Sequence, residues 1–341
     1  MLMEETCDKP AAEAVKWPEA VWHEAPSGGR WLSSTMRVLV PGASAESIES
    51  MEDLYRKATR AQWDAEADLD WTHTLDERNP LKMPDGTHPL STSDFWHKMD
   101  EDGRTTLRRH MQAWHISQIL HGERASFLCA SKVMLSATDP AVKACASLQA
   151  VDEQRHIEVY SRLLDKLGIR YEVAPNLDRL LYEILETSDP DITALGMQIM
   201  IEGLALAFFK SLQSYSQDPL VKKLLELVVR DEARHFAGGQ LSLAHNHAEL
   251  DSAELKRREE FVVHACMLLH EYLFADEIWE HLDLPKAECA ALVRSSAVTA
   301  GMHRMLFRHL VPAVRGIGLL GPEAQQAFAS IGVLDYAAFP V

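Results

Sequence analysis

The 341-residue chain lacks a basic surplus, paired cysteines and any obvious address signal. Its formal charge of −17 argues against a nucleic-acid or anionic-membrane surface, because such partners need clustered Lys and Arg facing phosphates. The five cysteines, Cys7, Cys129, Cys145, Cys266 and Cys289, are odd in number and scattered without a Cys-x-x-Cys pair. Neither a disulfide framework nor a zinc site is indicated, and reduced thiols are expected. No N-terminal stretch joins a basic start to an apolar run, and no segment reads as a membrane span, so a cytoplasmic protein without a membrane span is the expectation. No flavin or nicotinamide fingerprint such as Gly-x-Gly-x-x-Gly and no iron–sulfur cysteine pattern is expected in the chain.

What is present is helix, in a chain whose 47% hydrophobic content suffices for a substantial core. Residues 1–44, punctuated by Pro10, Pro18, Pro26 and Pro41, read as an irregular arm. Helical spacing runs from Ala45 to about Leu69, and a proline-rich loop follows with Pro80, Pro84 and Pro89. From about Gly103 to Leu135 only Gly122 interrupts a proline-free run. Two further helices start alike, with Asp139-Pro140 and Asp218-Pro219 as N-cap and first helical residue. A nearly all-apolar helix is expected from about Ile192 to Tyr215, and two amphipathic helices over roughly 252–281 and 286–312. Four central helices with one long connection at 169–190 predict an all-α four-helix bundle with a single crossover and extra N- and C-terminal helices. The expected organisation is the 1–44 arm, one helical domain over 45–315 with its core at 100–245, and a short tail at 316–341.

The two capped helices are copies of one pattern. "DPAVKACASLQAVDEQRH" laid over "DPLVKKLLELVVRDEARH" gives nine identities in eighteen positions at an offset of 79 residues. Each copy ends in a Glu-x-x-His pair, Glu153 with His156 and Glu232 with His235. Each is preceded 30 residues earlier by another acid, Glu123 and Glu202, which are again 79 apart. Residues three apart share a helix face, so six ligands converge on one polar volume if the helices pack together. Glu202 is the strongest clue, because an acid among Met197, Ile199, Met200, Leu204 and Phe208 is costly to bury without a cation. Four carboxylates offset two divalent ions, and two imidazoles suit iron better than magnesium or calcium. Asp152 and Asp231 can accept the second ring N–H of a ligand histidine from the opposite repeat, with Arg155 and Arg234 holding those aspartates.

This order of acid, Asp-Glu-x-Arg-His, acid, Asp-Glu-x-Arg-His resembles the ferritin-like carboxylate-bridged di-iron proteins. They include multicomponent monooxygenase hydroxylases, acyl-carrier-protein desaturases, ribonucleotide reductase small subunits, aldehyde-deformylating oxygenases and arylamine N-oxygenases. The resemblance covers about residues 100–245. It implies a ferritin-like bundle and a non-heme iron enzyme, an oxidoreductase that activates O₂ at two Fe ions, with manganese fitting the same ligands. The expected reaction is hydroxylation or related monooxygenation of a small, largely apolar organic molecule, with electrons from an external reductase or ferredoxin. Desaturation, N-oxygenation and C–C cleavage stay open, as does a homodimeric assembly. Arylamine N-oxygenases carry a further histidine four residues before the last ligand glutamate; Val228 stands there, which counts against that subfamily. The multicomponent hydroxylases carry a threonine where this chain has Leu206. Tyr160, seven residues after Glu153, has the placement of the radical tyrosine in ribonucleotide reductase small subunits and keeps that alternative, while an iron-storage protein is a third.

Phe127, Ala130, Ala205, Leu206 and Phe209 lie within two turns of the acids and are candidate walls of a substrate cavity, with core packing as the competing reading. Cys129 reads as a small buried hydrophobe. Trp63 and Trp71 read as packing for the first helix, with electron transfer as the sharper alternative. His110, His115, His121, His245 and His247 share no register and read as surface or capping residues.

Overall fold

The computed structural model describes residues 23–24, 30–32, 38–40 and 47–339. Most of the expected arm lies outside the described residues; inside them it contributes a two-residue antiparallel pair, β1 (His23–Glu24) with β2 (Arg30–Trp31). Everything else among the described residues is helix and loop.

Two long pairs of helices make the bundle. In the first half α3 (Glu101–Ser136) packs along α4 (Pro140–Leu167). In the second half α7 (Glu202–Tyr215) packs along α8 (Pro219–His247), and α4 meets α8 across the centre. The caps form where the sequence places them. Asp139 accepts from the Ala141 and Val142 backbone N–H groups, and Asp218 from those of Leu220 and Val221, satisfying donors that a helix start leaves open. Gly168, at φ +69°, ends α4 in the left-handed conformation that glycine adopts without strain. The crossover to the second half carries α5 (Pro175–Glu186) and the short α6 (Pro190–Ala194).

The expected apolar helix is not uniform. Leu195–Ile201 is π-helical, and the α form resumes at Glu202 itself. A π-turn widens the helix by one residue and re-aims the side chains beyond it, so it stands immediately before a candidate ligand. Pro190–Tyr215 is long and apolar enough to cross a membrane by length and composition, which corrects the expectation that no segment qualifies, although most of it is buried inside the bundle. The π segment approaches α8 at Gly239, where a Cβ would sit 2.7 Å from the Gln198 Cβ. Gly239→Ala is therefore expected to lower stability by about 1–3 kcal/mol through overpacking, read from urea unfolding.

Other boundaries move. α1 (Glu49–Arg60) stops nine residues before the expected Leu69, because Gln62 and Trp63 leave the helix to bond buried aspartates and Asp64 closes a turn onto the Glu66 and Ala67 backbone. The expected 252–281 helix is α9 (Ser252–Tyr272) and α10 (Glu277–His281), broken near Ala275 at φ +55°. The next is α11 (Lys286–Ser295) and α12 (Ala297–Gly316), divided where Ser296 caps α12. The tail is more ordered than expected: α13 (Pro322–Ser330) docks on α9, with Glu259 accepting from the Ala324 N–H. A Gly-x-Gly-x-x-Gly run does occur at Gly316–Gly321, but it links α12 to α13 with no preceding strand and so lacks a dinucleotide setting.

Candidate metal centre

Apolar turns flank the site on both repeat helices. On α4, Ala141, Val142 and Ala146 precede and Val159, Tyr160, Leu163 and Leu164 follow a polar turn holding Asp152, Glu153 and His156. The equivalent turn of α8 holds Asp231, Glu232 and His235. α3 brings Glu123 and α7 brings Glu202, so all six candidate ligands meet, each buried. His156 Nδ1 lies 3.3 Å from Glu123, 3.2 Å from Glu153 and 3.0 Å from Glu232. His235 Nδ1 lies 3.2 Å from Glu153 and 3.6 Å from Glu232. Two overlapping sets result: Glu123, Glu153, His156 and Glu232, and Glu153, Glu202, Glu232 and His235, with donor atoms within 4.8 Å of one another. Glu153 and Glu232 belong to both, so these two carboxylates are the ones that two metal ions held there could share.

The opposite ring nitrogens are held crosswise, as the repeat suggests. His156 Nε2 lies 3.2 Å from Asp231 and His235 Nε2 lies 3.2 Å from Asp152. Each imidazole therefore turns Nδ1 inward and is steadied by an aspartate of the other half. Arg155 donates to Asp152 at 2.9 Å, and Arg234 donates to Asp231. Gln62 and Trp63 add what sequence reasoning missed: Gln62 donates to Asp152 at 3.0 Å and the Trp63 indole N–H to Asp231 at 2.6 Å. Trp71 does pack beside them, under the Arg162 guanidinium. Asp231→Asn is expected to weaken iron binding by about 10–100-fold, measured by chelator competition, because it removes the charge and leaves one acceptor oxygen for the three donors, His156, Trp63 and Arg234, that Asp231 serves.

Ser126 and Gln149 were also missed, and they break the symmetry of the repeat. The Ser126 hydroxyl lies 2.5 Å from Glu202 and 2.9 Å from Glu153, with one proton to give to either, and Gln149 donates to the same two acids at 2.9 and 3.1 Å. Gln149 is fixed in turn by Gln198 at 2.6 Å. Their counterparts 79 residues on are Ala205 and Val228, which carry no side-chain donor, so the repeat supplies no equivalent pair beside Glu123. Helical spacing from the ligands, +3 from Glu123 and −4 from Glu153, was the available signal.

Electrostatics argue for bound cations. Burial pushes the Glu123 and Glu202 carboxyls well above the ordinary range, with neighbouring glutamates adding to the effect. Burial acts the same way on Glu153, but His235 and His156 outweigh it and hold that carboxyl low. Burial also opposes charge on His156 and His235, yet Glu123 and Glu153 respectively raise both imidazoles well above their usual value. Among the described residues the buried Glu202 Oε2 has no hydrogen-bond partner, and Glu232 Oε1 and His235 Nδ1, though at ion-pair distance from His156 and Glu153, make no aligned hydrogen bond. Such atoms are costly alone and suited to metal coordination, so four carboxylates and two imidazoles fit a pair of divalent ions.

An apolar cavity of about 70 Å³ opens beside the acids. Of the five expected wall residues Ala205 and Phe209 line it; Phe127, Ala130 and Leu206 do not. The cavity lies to one side of Glu123 and Glu202, reached from Glu202 by offsets of three and seven but not of four, and from Glu123 by His115, Ile119 and Ser126. His115 is thus a cavity wall rather than a surface residue, and burial pushes its imidazole down to about 4. His247 is likewise buried, bonded to the Ile317 carbonyl at 2.8 Å, and His110 and His121 bond to Tyr171. Cys129 is buried and unpaired in a disulfide, in keeping with a small core residue. Tyr160 is fully buried next to Phe209, and its hydroxyl has no hydrogen-bond partner.

A helical bundle that gathers four carboxylates and two imidazoles into overlapping sets is a ferritin-like metalloprotein of the carboxylate–histidine class. Within that class, the model of the family described as p-aminobenzoate N-oxygenase AurF matches residues 44–318, and the chain belongs to this family of di-iron oxygenases. It is accordingly an O₂-dependent di-iron oxidoreductase. No curated protein matches the chain. Membership overrides the weight placed on Val228, whose departure from the arylamine N-oxygenase pattern does not remove the chain from the family.

Proposed function

We propose that Glu123, Glu153, His156, Glu202, Glu232 and His235 hold two iron ions, and that the chain uses them with O₂ to add one oxygen atom to a small, largely apolar substrate. N-oxygenation of an amine is the form that family membership favours. The observation that carries this reading is the pair of ligand sets sharing Glu153 and Glu232. Bound there, two ferrous ions would supply the electrons and coordination positions for O₂ activation. The protein's own part is to orient the imidazoles through Asp152 and Asp231, hold the Glu202 carboxylate with Ser126 and Gln149, and exclude water with an apolar wall. External electrons are required for repeated turnover, and a separate reductase or ferredoxin is the proposed source.

The test is anaerobic loading with Fe(II), metal counting, and reaction with ¹⁸O₂ in the presence of arylamines. Two irons per chain and one labelled oxygen in the product support the reading. A chain that binds no iron, or one that stores hundreds of ions without oxidising a substrate, sinks it. The buried Tyr160 hydroxyl, unbonded beside the ligands, favours a second reading as a radical carrier. Tyr160→Phe is expected to retain oxygenation and stability; loss of activity together with a tyrosyl radical signal present only in the parent protein would favour the radical reading.

A further inference from the structure

The inner cavity is too small for most organic substrates, since ligand pockets usually enclose about 300–1,000 Å³. A second cavity of about 420 Å³ lies outside it, among the loop at Leu81–His88, α3, α7 and α12. The two share three side chains, His115, Phe208 and Met302, and no candidate metal ligand. The His115 and Phe208 rings stand 5.0 Å apart between centroids, forming a narrow partition. A molecule passing from the outer to the inner cavity would have to cross it.

Charge in both linings is the second observation. Among the described residues the inner cavity contains no Lys or Arg, and its charged side chains are the acids Glu123, Glu202 and Glu232. Its one uncharged amide, Gln118, is already committed, donating to the Glu172 carbonyl at 2.9 Å and accepting from the Ala174 N–H at 2.8 Å. Among the described residues the outer cavity has one guanidinium, Arg108. Its Nε and Nη2 donate to the two Asp85 oxygens at 2.6 and 2.8 Å, and its Nη1 donates to Glu101 at 2.8 Å. Two acids therefore cancel that cation. The remaining basic groups, His88 and His115, are pushed down by burial to about 3 and about 4, so they are neutral imidazoles at pH 7. A substrate carboxylate would find no available cationic side chain in either cavity, and the loaded metal centre, where four carboxylates balance two divalent ions, would offer no net positive charge in its place.

We infer that this chain takes an uncharged, elongated substrate, whose apolar end lies in the inner cavity and whose remainder occupies the outer one past the His115, Phe208 and Met302 partition. This rests on the oxygenase reading and narrows it: the benzoate carboxylate in the family's name is not part of what this chain recognises.

The experiment compares 4-aminobenzoate with its uncharged methyl ester, titrated calorimetrically into anaerobic Fe(II)-loaded protein, where no turnover occurs. The ester is expected to bind about 10-fold or more tightly than the acid, a difference of about 1.4 kcal/mol. Phe208→Trp, which fills the partition, should weaken ester binding by a similar factor while two irons stay bound. Met302→Lys, which adds a cation to both cavities, should narrow or reverse the preference for the ester. Equal or tighter binding of the acid to the unaltered protein, failure of the ester to bind, or ester binding indifferent to Phe208→Trp would each overturn the inference. If the protein binds no iron, the oxygenase reading fails on that count alone, while the ester and acid comparison on the metal-free chain still decides the cavity.

Discussion

Glu153→Ala is expected to reduce bound iron from two per chain to fewer than one and to abolish the reaction with O₂. Glu153 is fully buried and belongs to both ligand sets. Its Oε1 also accepts from Ser126 and Gln149 and lies 3.2 Å from His235 Nδ1, while Oε2 faces His156 at 3.2 Å. Removing it takes a ligand from each metal position and a quarter of the negative charge that neutralises the ions. The remaining imidazoles then lose a partner in a buried place, where an uncompensated group costs several kcal/mol. Iron counting after gel filtration and stopped-flow spectra read the outcome. Retention of two irons would exclude Glu153 as a bridge. A Glu226→Ala control on the exposed face of α8 should behave as the parent protein.

Stripping the metal with a chelator is expected to lower the Tm and to make stability fall as pH rises above 4.5, the ordinary value of the raised carboxyls. In the metal-free chain the Glu123 and Glu202 carboxyls are raised from 4.5, so their folded-state preference is for the neutral form and is lost as pH rises through the raised values. The imidazoles of His156 and His235 are raised from 6.5, so the stability they contribute when protonated is present below 6.5 and lost as pH rises through the folded values. Glu153 is held low and Asp231 is held down at about 2; their contributions are constant across this window and disappear only in acid. Each proton bound more tightly by the folded chain changes stability by about 1.4 kcal/mol per pH unit between its two pKa values. Bound iron displaces those protons and balances the carboxylates, so the loaded protein should have a higher Tm and a flatter pH profile. Thermal melts across pH, with and without chelator, check this. Parallel curves for the two forms would show that the acids do not form a metal site.

Much of this site was legible in the chain because two periodicities coincide. An offset of 79 residues sets six ligands in register, and the i, i+3 spacing puts each glutamate beside its histidine. The crosswise bonds from Asp152 and Asp231 follow from the same repeat, since each half must steady the other. Ser126, Gln149 and Trp63 were not legible. Ser126 and Gln149 act through rotation of α3 and α4 about their axes, and Trp63 through a helix that ends early to reach Asp231. The cavity was half legible, because which flank of a ligand faces open space depends on how neighbouring helices lean. Ala205 and Phe209 lie on that flank and Leu206 does not. His115 stands eight residues before Glu123, more than two turns away along α3, and only the packing of α7 and α12 against that edge makes it a cavity wall.

The sequence by itself determined the helical bundle, the capped starts of α4 and α8, and the six candidate ligands with their approximate charge balance. These depend on hydrophobic period, local capping and repeat spacing, all of which are properties of neighbours along the chain. Only the tertiary structure decided which carboxylates fall in both sets, where the π-turn delivers Glu202, which neutral donors hold it, and that two cavities, lined among the described residues by no available cation, meet at Phe208. Those features come from side chains separated by tens of residues, brought within hydrogen-bonding or van der Waals reach by the packing of whole helices.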